Sequence, residues 1–498
     1  MIHTPHIDWF AIATILALLA ASFVSLLGAV LVPEPHRRAF GAIVTQLGFL
    51  GGLVASIWLY VDSHHSETVV SGAFYRDRWT ALAQIILCAV GLATTLVSWK
   101  HVLPERRGRN NDHIAEFFAL LLASAAGMAF FVGSANLMTL FLSLEWFSIA
   151  LYVMCAIDYD VEGSLEAGLK YLIVGSFGSA VLLFGSALVY GATGTVSFAG
   201  IATAIGSHGL TGNSLLVVGV ALLVAGLGFK MSAAPFHMWT PDVYEGAPTP
   251  VTAWMSAATK VAALALAMRL MVTAFPQEEH LWTVAFAAIA VASLVIGNLA
   301  ALVQTNVKRI LAYSSVSHAG FMLIGLSAGT AFGAKALMYY LIPYAAMAFG
   351  SFAVVAARER ELGQPVTLEN LAGLGWERPF LGVAMWFFMF GFAGLPVGGG
   401  FVGKFYVLAA AYKHGWSWLV IVGVLATLVS LYYYLGVVRA MYMRPAAARL
   451  AVVGGGSPPR ERLLNIGVGM ALVVSVGSMF AAAPLLDLAQ SAASSLPF

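Results

Sequence analysis

The chain has few charged side chains. Only 10% of its 498 residues are Asp, Glu, Lys or Arg, whereas 60% are hydrophobic. A soluble globular domain carries about 25% charged residues. A chain with so little charge cannot cover a water-facing surface, so a water-soluble fold is excluded. The formal net charge is only +2, and without a basic stripe we expect no nucleic-acid partner.

Cysteine and cofactor motifs are also scarce. Cys88 and Cys155 both fall in apolar runs and form neither a metal-ligand spacing nor a disulfide framework. The sequence has no glycine-rich dinucleotide fingerprint between a strand and a helix, no cysteine cluster for iron–sulfur and no histidines at haem-like spacing. We therefore expect no cofactor in this chain and any electron transfer to take place elsewhere.

Long apolar runs dominate instead. A helix that spans a bilayer needs about 20 mostly apolar residues, and strict alternation typical of a membrane barrel is absent. The first run, Phe10 to about Leu31, is too long for a signal-peptide core and lacks a basic flank, so we expect a retained helix. The prediction is an all-α polytopic membrane protein with about fourteen transmembrane helices. The predicted spans lie near 10–32, 39–61, 79–99, 114–133, 136–157, 167–191, 213–231, 248–272, 281–303, 309–328, 335–357, 379–412, 416–443 and 463–487.

Lysine and arginine are unevenly distributed between the predicted loops. Sixteen of the 25 lysine and arginine residues lie in predicted loops that follow odd-numbered helices. These are Arg37, Arg38, Lys100, Arg106, Arg107, Arg109, Lys308, Arg309, Arg358, Arg360, Arg378, Arg439, Arg444, Arg449, Arg460 and Arg462. The opposite side holds Arg76, Arg78, Arg269, Lys335 and Lys413. Because cytoplasmic loops are enriched in these residues, both termini are predicted to lie on the periplasmic side.

Two predicted spans are interrupted. Glycines or a proline flank Lys230 in GLGFKMSAAPFHMW and Lys404 in GLPVGGGFVGKFYV. An offset of 174 residues relates these two lysines, and it places Glu145 opposite Ala319, next to His318. Broken helices at matching positions of two halves indicate inverted repeats around a midplane ion site. We therefore predict that helices 7 and 12 are broken.

The repeats divide the chain into four predicted parts. Residues 1–110 form an N-terminal three-helix segment, and residues 111–275 form the first five-helix repeat, helices 4 to 8. Residues 276–445 form the second, inverted repeat, helices 9 to 13. Residues 446–498 contain a C-terminal loop and helix 14.

Five charged side chains fall well inside predicted spans: Glu145, Lys170, Lys230, Lys260 and Lys404. Each ionised residue at a helix centre costs roughly 2.5–3.5 kcal/mol. Five would cost on the order of 12–18 kcal/mol, as much as the whole stability of a typical domain. We therefore expect these charges to face a hydrated or mutually paired interior.

Two interpretations of these charges remain open. They could be structural ion pairs, with Lys170 paired to Glu145, or lysines that extend to the membrane surface. Alternatively, Lys230, Lys260 and Lys404 form a proton relay, because too few acidic residues share their depth and burial favours a neutral amine that can accept a proton. In the relay, Glu145 modulates the charge of Lys170.

Two histidines extend the proposed relay. His237 and His318 lie near the central axis of the two halves and could pass protons onward. A hydrogen-bonded packing role fits each of them equally well. Four further side chains could order water, namely Tyr244, Tyr313, Ser314 and Ser315.

Several motifs carry a family resemblance. They are KMSAAPFHMWTPDVYEGAPTPVTAWMSAATK, SLEWFSIALYVMCAID, EAGLKYLIVGS, NVKRILAYSSVSHAGF and GGGFVGKFYV. Together they closely resemble the subunit N family of respiratory complex I, the proton-pumping NADH:quinone oxidoreductase. The likeness runs from about residue 110 to 440, and HMWTPDVYEGAPTP is its most specific segment. Fourteen helices with two inverted five-helix repeats is also the architecture that the resemblance implies.

The resemblance implies a role for each buried charge. Glu145 corresponds to the family's fifth-helix glutamate and Lys170 to its sixth-helix lysine. Lys230 corresponds to the lysine of the broken seventh helix, and Lys260 to the eighth-helix lysine that links two half-channels. Lys404 corresponds to the residue of the broken twelfth helix that faces the exit half-channel. In the related subunit M, the residue at this last position looks like a glutamate. The lysine here therefore favours subunit N.

The resemblance also implies a setting in the cell inner membrane. The chain would be a proton-translocating membrane-arm subunit that contacts lipid, the antiporter-like subunit M and the small subunits K, J and A. FMN, iron–sulfur clusters and quinone would be bound by other subunits. The charged residues Asp158, Asp160, Glu162 and Glu166 form either a contact with a neighbour or a solvated loop. A subunit of a multisubunit sodium/proton antiporter is the alternative, and a scaffold with incidental charges conflicts with their energetic cost.

Overall fold

A computed structural model describes residues 7–99, 114–444 and 461–498. Several of the basic residues used to predict the orientation lie outside this described part, namely Lys100, Arg106, Arg107, Arg109, Arg449 and Arg460. The described chain is nearly all helical. The only strands found within these ranges are β1 (Glu67–Val69) and β2 (Phe74–Arg76), which pair as a short antiparallel hairpin.

Nineteen helices are described in chain order. The N-terminal segment contains α1 (Ala13–Leu31), α2 (Glu34–Asp62) and α3 (Arg78–Ser98). There follow α4 (Ile114–Val132), α5 (Leu137–Cys155), α6 (Glu162–Thr193), α7 (Phe198–His208), α8 (Ser214–Lys230), α9 (Trp239–Gly246) and α10 (Thr249–Ala274). After a 3₁₀ turn (Pro276–Glu278) come α11 (Glu279–Leu302), α12 (Val307–Ser327), α13 (Ala331–Leu362), α14 (Leu374–Glu377), α15 (Pro379–Ala393), α16 (Gly399–Lys413) and α17 (Ser417–Met443). The chain closes with α18 (Arg462–Phe480) and α19 (Ala482–Ala493).

The helices confirm the prediction of a polytopic membrane protein. Twelve described helices are long and apolar enough to cross a bilayer. Two further spans are each broken into two shorter helices, α8 with α9 and α15 with α16. These are the predicted seventh and twelfth spans, and the total of fourteen agrees with the sequence. The hairpin, α7, α9, α14 and the second half of α19 lie outside the predicted spans, because segments this short give no spanning signal.

The same local structure occurs twice, about 170 residues apart. Asn136 caps α5, and Asn306 caps α12 in the same way. Each asparagine also forms an antiparallel bridge with the segment that follows the next helix, Asn136 with Ser197 and Asn306 with Thr367. The two intervening helices, α6 and α13, both have 32 residues and both end at a glycine in the left-handed conformation. This recurrence matches the predicted internal repeat.

The centre of the protein is formed by α10, α12 and α13. In the most apolar stretch of each of these three helices, over 90% of the residues are buried. The corresponding share in α1, α17 and α18 is about a third. A helix that is apolar all round belongs in the interior, and this pattern explains why these three carry almost no exposed hydrophobic side chains. Lys260 of α10 and His318 of α12 therefore lie in the core.

Arg269 is placed differently from the prediction, which counted it among the loop residues. It lies within α10, is 1% exposed, and its two Nη atoms donate to the Asp77 carboxylate at 2.7 and 2.8 Å. Asp77 also caps α3 by accepting from Thr80 N at 2.8 Å. A charge count cannot recognise such a pair, because its partners are 192 residues apart. The pair ties the N-terminal helices to the central helix α10.

Candidate functional site

Lys230 is the last residue of α8, and its side chain is almost completely buried. Its Nζ donates a hydrogen bond to Ser148 Oγ of α5 at 2.6 Å. Four aromatic rings lie within 6 Å of the same nitrogen, those of Phe147, Tyr152, Tyr171 and Phe229. A cation is attracted to aromatic faces at this range. The site can therefore hold a proton on Lys230 without a direct carboxylate contact.

Glu145 lies one turn before Ser148 on α5. Its Oε1 is buried and has no hydrogen-bond partner, and it shares α5 with Ser148, which accepts from Lys230. Across residues 7–99, 114–444 and 461–498, Glu145 forms no ion pair with Lys170. The expected pairing of Glu145 with Lys170 is therefore wrong for this structure.

Lys170 belongs to a separate charged cluster. Its Nζ lies 2.6 Å from Glu166 Oε1 and 2.9 Å from Asp242 Oδ2, and the side chain is 42% exposed. Asp242 also accepts from Arg309 Nη1 at 2.8 Å, and the same nitrogen donates to Glu245 at 2.8 Å. This cluster joins α6, α9 and α12. It also shows that Glu166 is paired within the chain, which neither interpretation of the predicted acidic loop included.

Lys260 is fully buried in the middle of α10. Its Nζ donates to the carbonyl oxygen of Met231 at 2.7 Å. Met231 directly follows the end of α8, where backbone carbonyls lose their helical donors. The break after α8 therefore supplies an acceptor to Lys260 at the residue next to Lys230, so the two lysines share one interruption of the backbone.

His318 has both ring nitrogens occupied. Nδ1 lies 2.7 Å from the Tyr340 hydroxyl, and Nε2 lies 3.0 Å from the Tyr434 hydroxyl. Tyr434 also hydrogen-bonds Ser314. A neutral imidazole has one donor and one acceptor nitrogen, so one tyrosine donates to the ring and the other accepts. This arrangement can pass a proton along hydroxyls, and it also satisfies the packing interpretation of this histidine.

Tyr344 links the surroundings of Lys260 and His318. Its hydroxyl lies 3.2 Å from Ser315 Oγ and 3.3 Å from the carbonyl oxygen of Ser256, one turn before Lys260 on α10. Its ring centroid is 5.5 Å from that of His318. The predicted contribution of Ser314 and Ser315 thus depends on tyrosines that the sequence reasoning missed. Two pairs of adjacent tyrosines lie within apolar spans, at 339–340 and 433–434, and this pattern could have indicated the buried hydroxyls from the sequence.

Lys404 occupies the second broken span. It lies in α16 with its Nζ buried, without a hydrogen-bond partner, and 4.3 Å from the Phe321 ring centre. Gly394 ends α15 with a φ of 78°, and a Cβ there would lie 2.9 Å from Lys404 Cδ. The glycine therefore both allows the break and leaves room for the lysine.

The remaining predicted residues lie near the first break. His237 lies between α8 and α9, and its Nδ1 is buried without a partner. Its ring centroid is 6.5 Å from that of Tyr313. The hydroxyl of Tyr244 is buried and also lacks a partner. The structure thus brings Lys230, Lys260 and these groups to one region and leaves Lys170 apart.

Comparison with known proteins decides the family. A family model described as "NADH:quinone oxidoreductase/Mrp antiporter, TM" matches residues 134–430, which include Glu145 and the four predicted lysines. NADH-quinone oxidoreductase subunit N from Trichlorobacter lovleyi is 41% identical over 420 residues, 84% of each chain. The chain belongs to the subunit N family. Membership agrees with the multi-pass fold, and the sequence resemblance is confirmed.

Solved structures agree with membership of the subunit N family. A chain in a structure of respiratory complex I from Thermus thermophilus superposes with a TM-score of 0.77 at 31% identity, covering 95% of this chain and 98% of that one. A chain of the Mrp complex from Dietzia sp. gives a TM-score of 0.83 at 21% identity, covering 98% and 97%. The second likeness shows a common fold only. The first likeness places the protein among the membrane subunits of a multisubunit complex.

Proposed function

We propose that the chain translocates protons as a membrane-arm subunit of complex I, and that it helps couple electron transfer from NADH to quinone in other subunits to proton export. The observation that carries the proposal is the setting of Lys230, Lys260 and Lys404. All three are at most 5% exposed, and within the described ranges none forms an ion pair. An unpaired buried ammonium is costly and is retained at functional positions.

The proposed path follows the two helix breaks. Lys230 and Lys260 store protons at the first break, where Glu145 changes the electrostatic cost of a charge on Lys230. His318 and the tyrosine hydroxyls pass protons between Lys260 and Lys404, the far end of the path. His237 exchanges protons beside the first break. Lys170 lies outside this path, in the charged cluster, and modulates the path through Asp242 and Arg309.

The proposed organisation consists of two inverted repeats, residues 111–275 and 276–445, flanked by residues 1–110 and 446–498. The asparagine caps and bridges that recur after about 170 residues support this division. Corresponding helices of the two repeats are separated by five spans. Because five is an odd number, they cross the membrane in opposite directions, which makes the repeats inverted. Each repeat then contributes one broken helix and one lysine at the break.

The proposed setting is the cell inner membrane with both termini on the periplasmic side, which the uneven loop charge supports. The proposed neighbours are subunit M and the small subunits K, J and A. FMN, iron–sulfur clusters and quinone are assigned to other subunits. Among the described residues, no group of three or more His, Cys, Asp or Glu side chains is placed to hold a metal ion.

A single substitution tests the proposal. Lys230→Met keeps the length and apolar stem of the side chain but removes the proton site. We expect an assembled complex in which proton pumping falls at least about tenfold, because a positioned proton-transfer group typically contributes 10²–10⁴-fold. Pumping is measured as acidification of sealed vesicles. Lys413→Met at the end of α16 is the control, and full pumping by Lys230→Met contradicts the relay.

A sodium/proton antiporter subunit is the second candidate, favoured by the fold shared with the Mrp chain. The two candidates differ in their dependence on NADH and sodium. A complex I subunit supports pumping that requires NADH oxidation and proceeds without sodium. Sodium efflux driven by a proton gradient, with no redox substrate, would support the antiporter instead.

A further inference from the structure

An apolar groove lies between the N-terminal helices and the C-terminal helices. Its cavity volume is about 540 Å³, and its walls come from α2, α3, α13, α18 and α19. Every side chain that lines it is apolar except for the hydroxyl of Tyr60. That hydroxyl donates to the carbonyl oxygen of Leu488 at 2.8 Å and so ties α2 to α19 at one end of the groove. The groove opens outward, since Ile57 and Val61 on its edge are 46% and 63% exposed.

The length of the groove matches one leaflet of a bilayer. Its wall on α3 runs from Leu82 to Ala93, and eleven residues of α-helix rise about 16 Å. Half of a hydrocarbon core about 30 Å thick is about 15 Å. The groove therefore has the length and the apolar walls that suit an acyl chain of one leaflet.

An arginine without an acidic partner lies beside the Tyr60 end. Arg78 donates from Nε to the Tyr60 carbonyl oxygen at 3.2 Å, and its guanidinium carbon is 5.6 Å from the Tyr60 ring centre. Its Nη2 lies 3.3 Å from His64 Nδ1. No ion pair of Arg78 is found in the described part of the chain, whereas neighbouring Arg76 is paired with Asp8 and Asp62.

We propose that this groove binds one acyl chain of a phospholipid and that Arg78 holds its phosphate. The apolar walls account for the chain, and the uncompensated guanidinium, which donates well to phosphate oxygens, accounts for the headgroup. A bound chain of this kind fills the space between the N-terminal helices and α13. The site is separate from Lys230, Lys260 and Lys404, so it does not depend on the proposed proton path.

The test uses the isolated membrane complex in vesicles that contain phosphatidylglycerol with a photoreactive group in one acyl chain. A diacylglycerol with the same acyl chain but no phosphate is the matched probe. We expect labelling of groove residues by the phospholipid in preference to the diacylglycerol. Ala89→Trp, which fills the groove, should abolish labelling there by both probes. Leu428→Trp on the exposed face of α17 is the control and should change neither.

Arg78→Gln should remove the preference for the phospholipid and lower its labelling about tenfold, the loss expected for one hydrogen bond between charged groups. Arg78→Lys should keep the preference, which separates phosphate binding from folding, and Arg76→Gln should leave it unchanged. Equal labelling of both probes in the unmodified complex overturns the headgroup assignment. Undiminished groove labelling in Ala89→Trp, or crosslinking of the groove to another subunit, overturns the site.

Discussion

The buried pair of Asp77 and Arg269 allows a quantitative test of how the N-terminal helices are held to the core. Removing one partner of a buried ion pair costs about 3–5 kcal/mol, because the other charge is left uncompensated, whereas replacing both is often nearly neutral. Both side chains are at most 2% exposed. We therefore expect Asp77→Asn and Arg269→Met each to destabilise the protein by about that amount. The double variant should recover most of the loss.

The pair should contribute fully at pH 7. Burial acts to raise the pKa of the Asp77 carboxyl, but the charge and hydrogen bonds of Arg269 outweigh burial and hold that pKa below its ordinary value. A carboxyl whose pKa is lowered by folding stabilises the fold above its unfolded-state pKa of about 3.9. That contribution is lost as the pH falls through the folded-state pKa. Measurements at pH 7 therefore report the intact pair.

The assay compares four proteins: the unmodified chain, the two single variants and the double variant. The temperature at which this subunit dissociates from the isolated complex gives the order of stability. Asp77→Asn keeps the side-chain oxygen that caps α3, so loss of the cap does not confound the comparison. If the double variant is as unstable as the two single effects added together, the partners are not coupled and the reasoning is refuted.

Three further predictions concern the proton path. Gly394→Ala should lower pumping, because a residue other than glycine in the left-handed region costs about 1–2 kcal/mol and the new Cβ displaces Lys404. Tyr344→Phe should leave the complex assembled but reduce vesicle acidification, since it removes only the hydroxyl that links Ser315 to α10. Lys170→Met should reduce pumping less than Lys230→Met, because half-exposed ion pairs contribute only about 0–1 kcal/mol.

Matched variants separate these effects from general damage. Gly436→Ala in α17 introduces a Cβ with no atom within 4 Å and should pump normally. Tyr412→Phe changes a tyrosine that is 66% exposed and should also be silent. Normal pumping by Tyr344→Phe would count against the hydroxyl link. A Lys170→Met variant as inactive as Lys230→Met would move Lys170 into the main path.

Most of the fold could be predicted because the bilayer requires long apolar helices, and those are visible in sequence. The two breaks were visible for a related reason, since the glycines and proline around Lys230 and Lys404 interrupt otherwise apolar runs. α7 and the second half of α19 were missed because they are too short to span. Arg269 was misplaced because its partner lies far away in the chain.

The site was predicted in its residues but not in its pairings. Lys170 was expected to meet Glu145, although Glu166 precedes it by four residues, a spacing that favours an ion pair on one helix face. The acceptors of Lys230 and Lys260 are a serine hydroxyl and a backbone carbonyl, and neither has a sequence signature. The tyrosines around His318 come from α13 and α17, so only the folded chain brings them together.

The bridges at Asn136 and Asn306 have a mechanical consequence. Each fastens the start of one helix to the chain beyond the next, so α5 with α6, and α12 with α13, form two closed hairpins. With 32 residues, α6 and α13 are each about 48 Å long, more than the thickness of the hydrocarbon core. We therefore expect these hairpins to act as a stiff frame. The interruptions after Lys230 and before Lys404 lie outside both hairpins, and we expect the backbone to move most easily there when a proton is gained or lost.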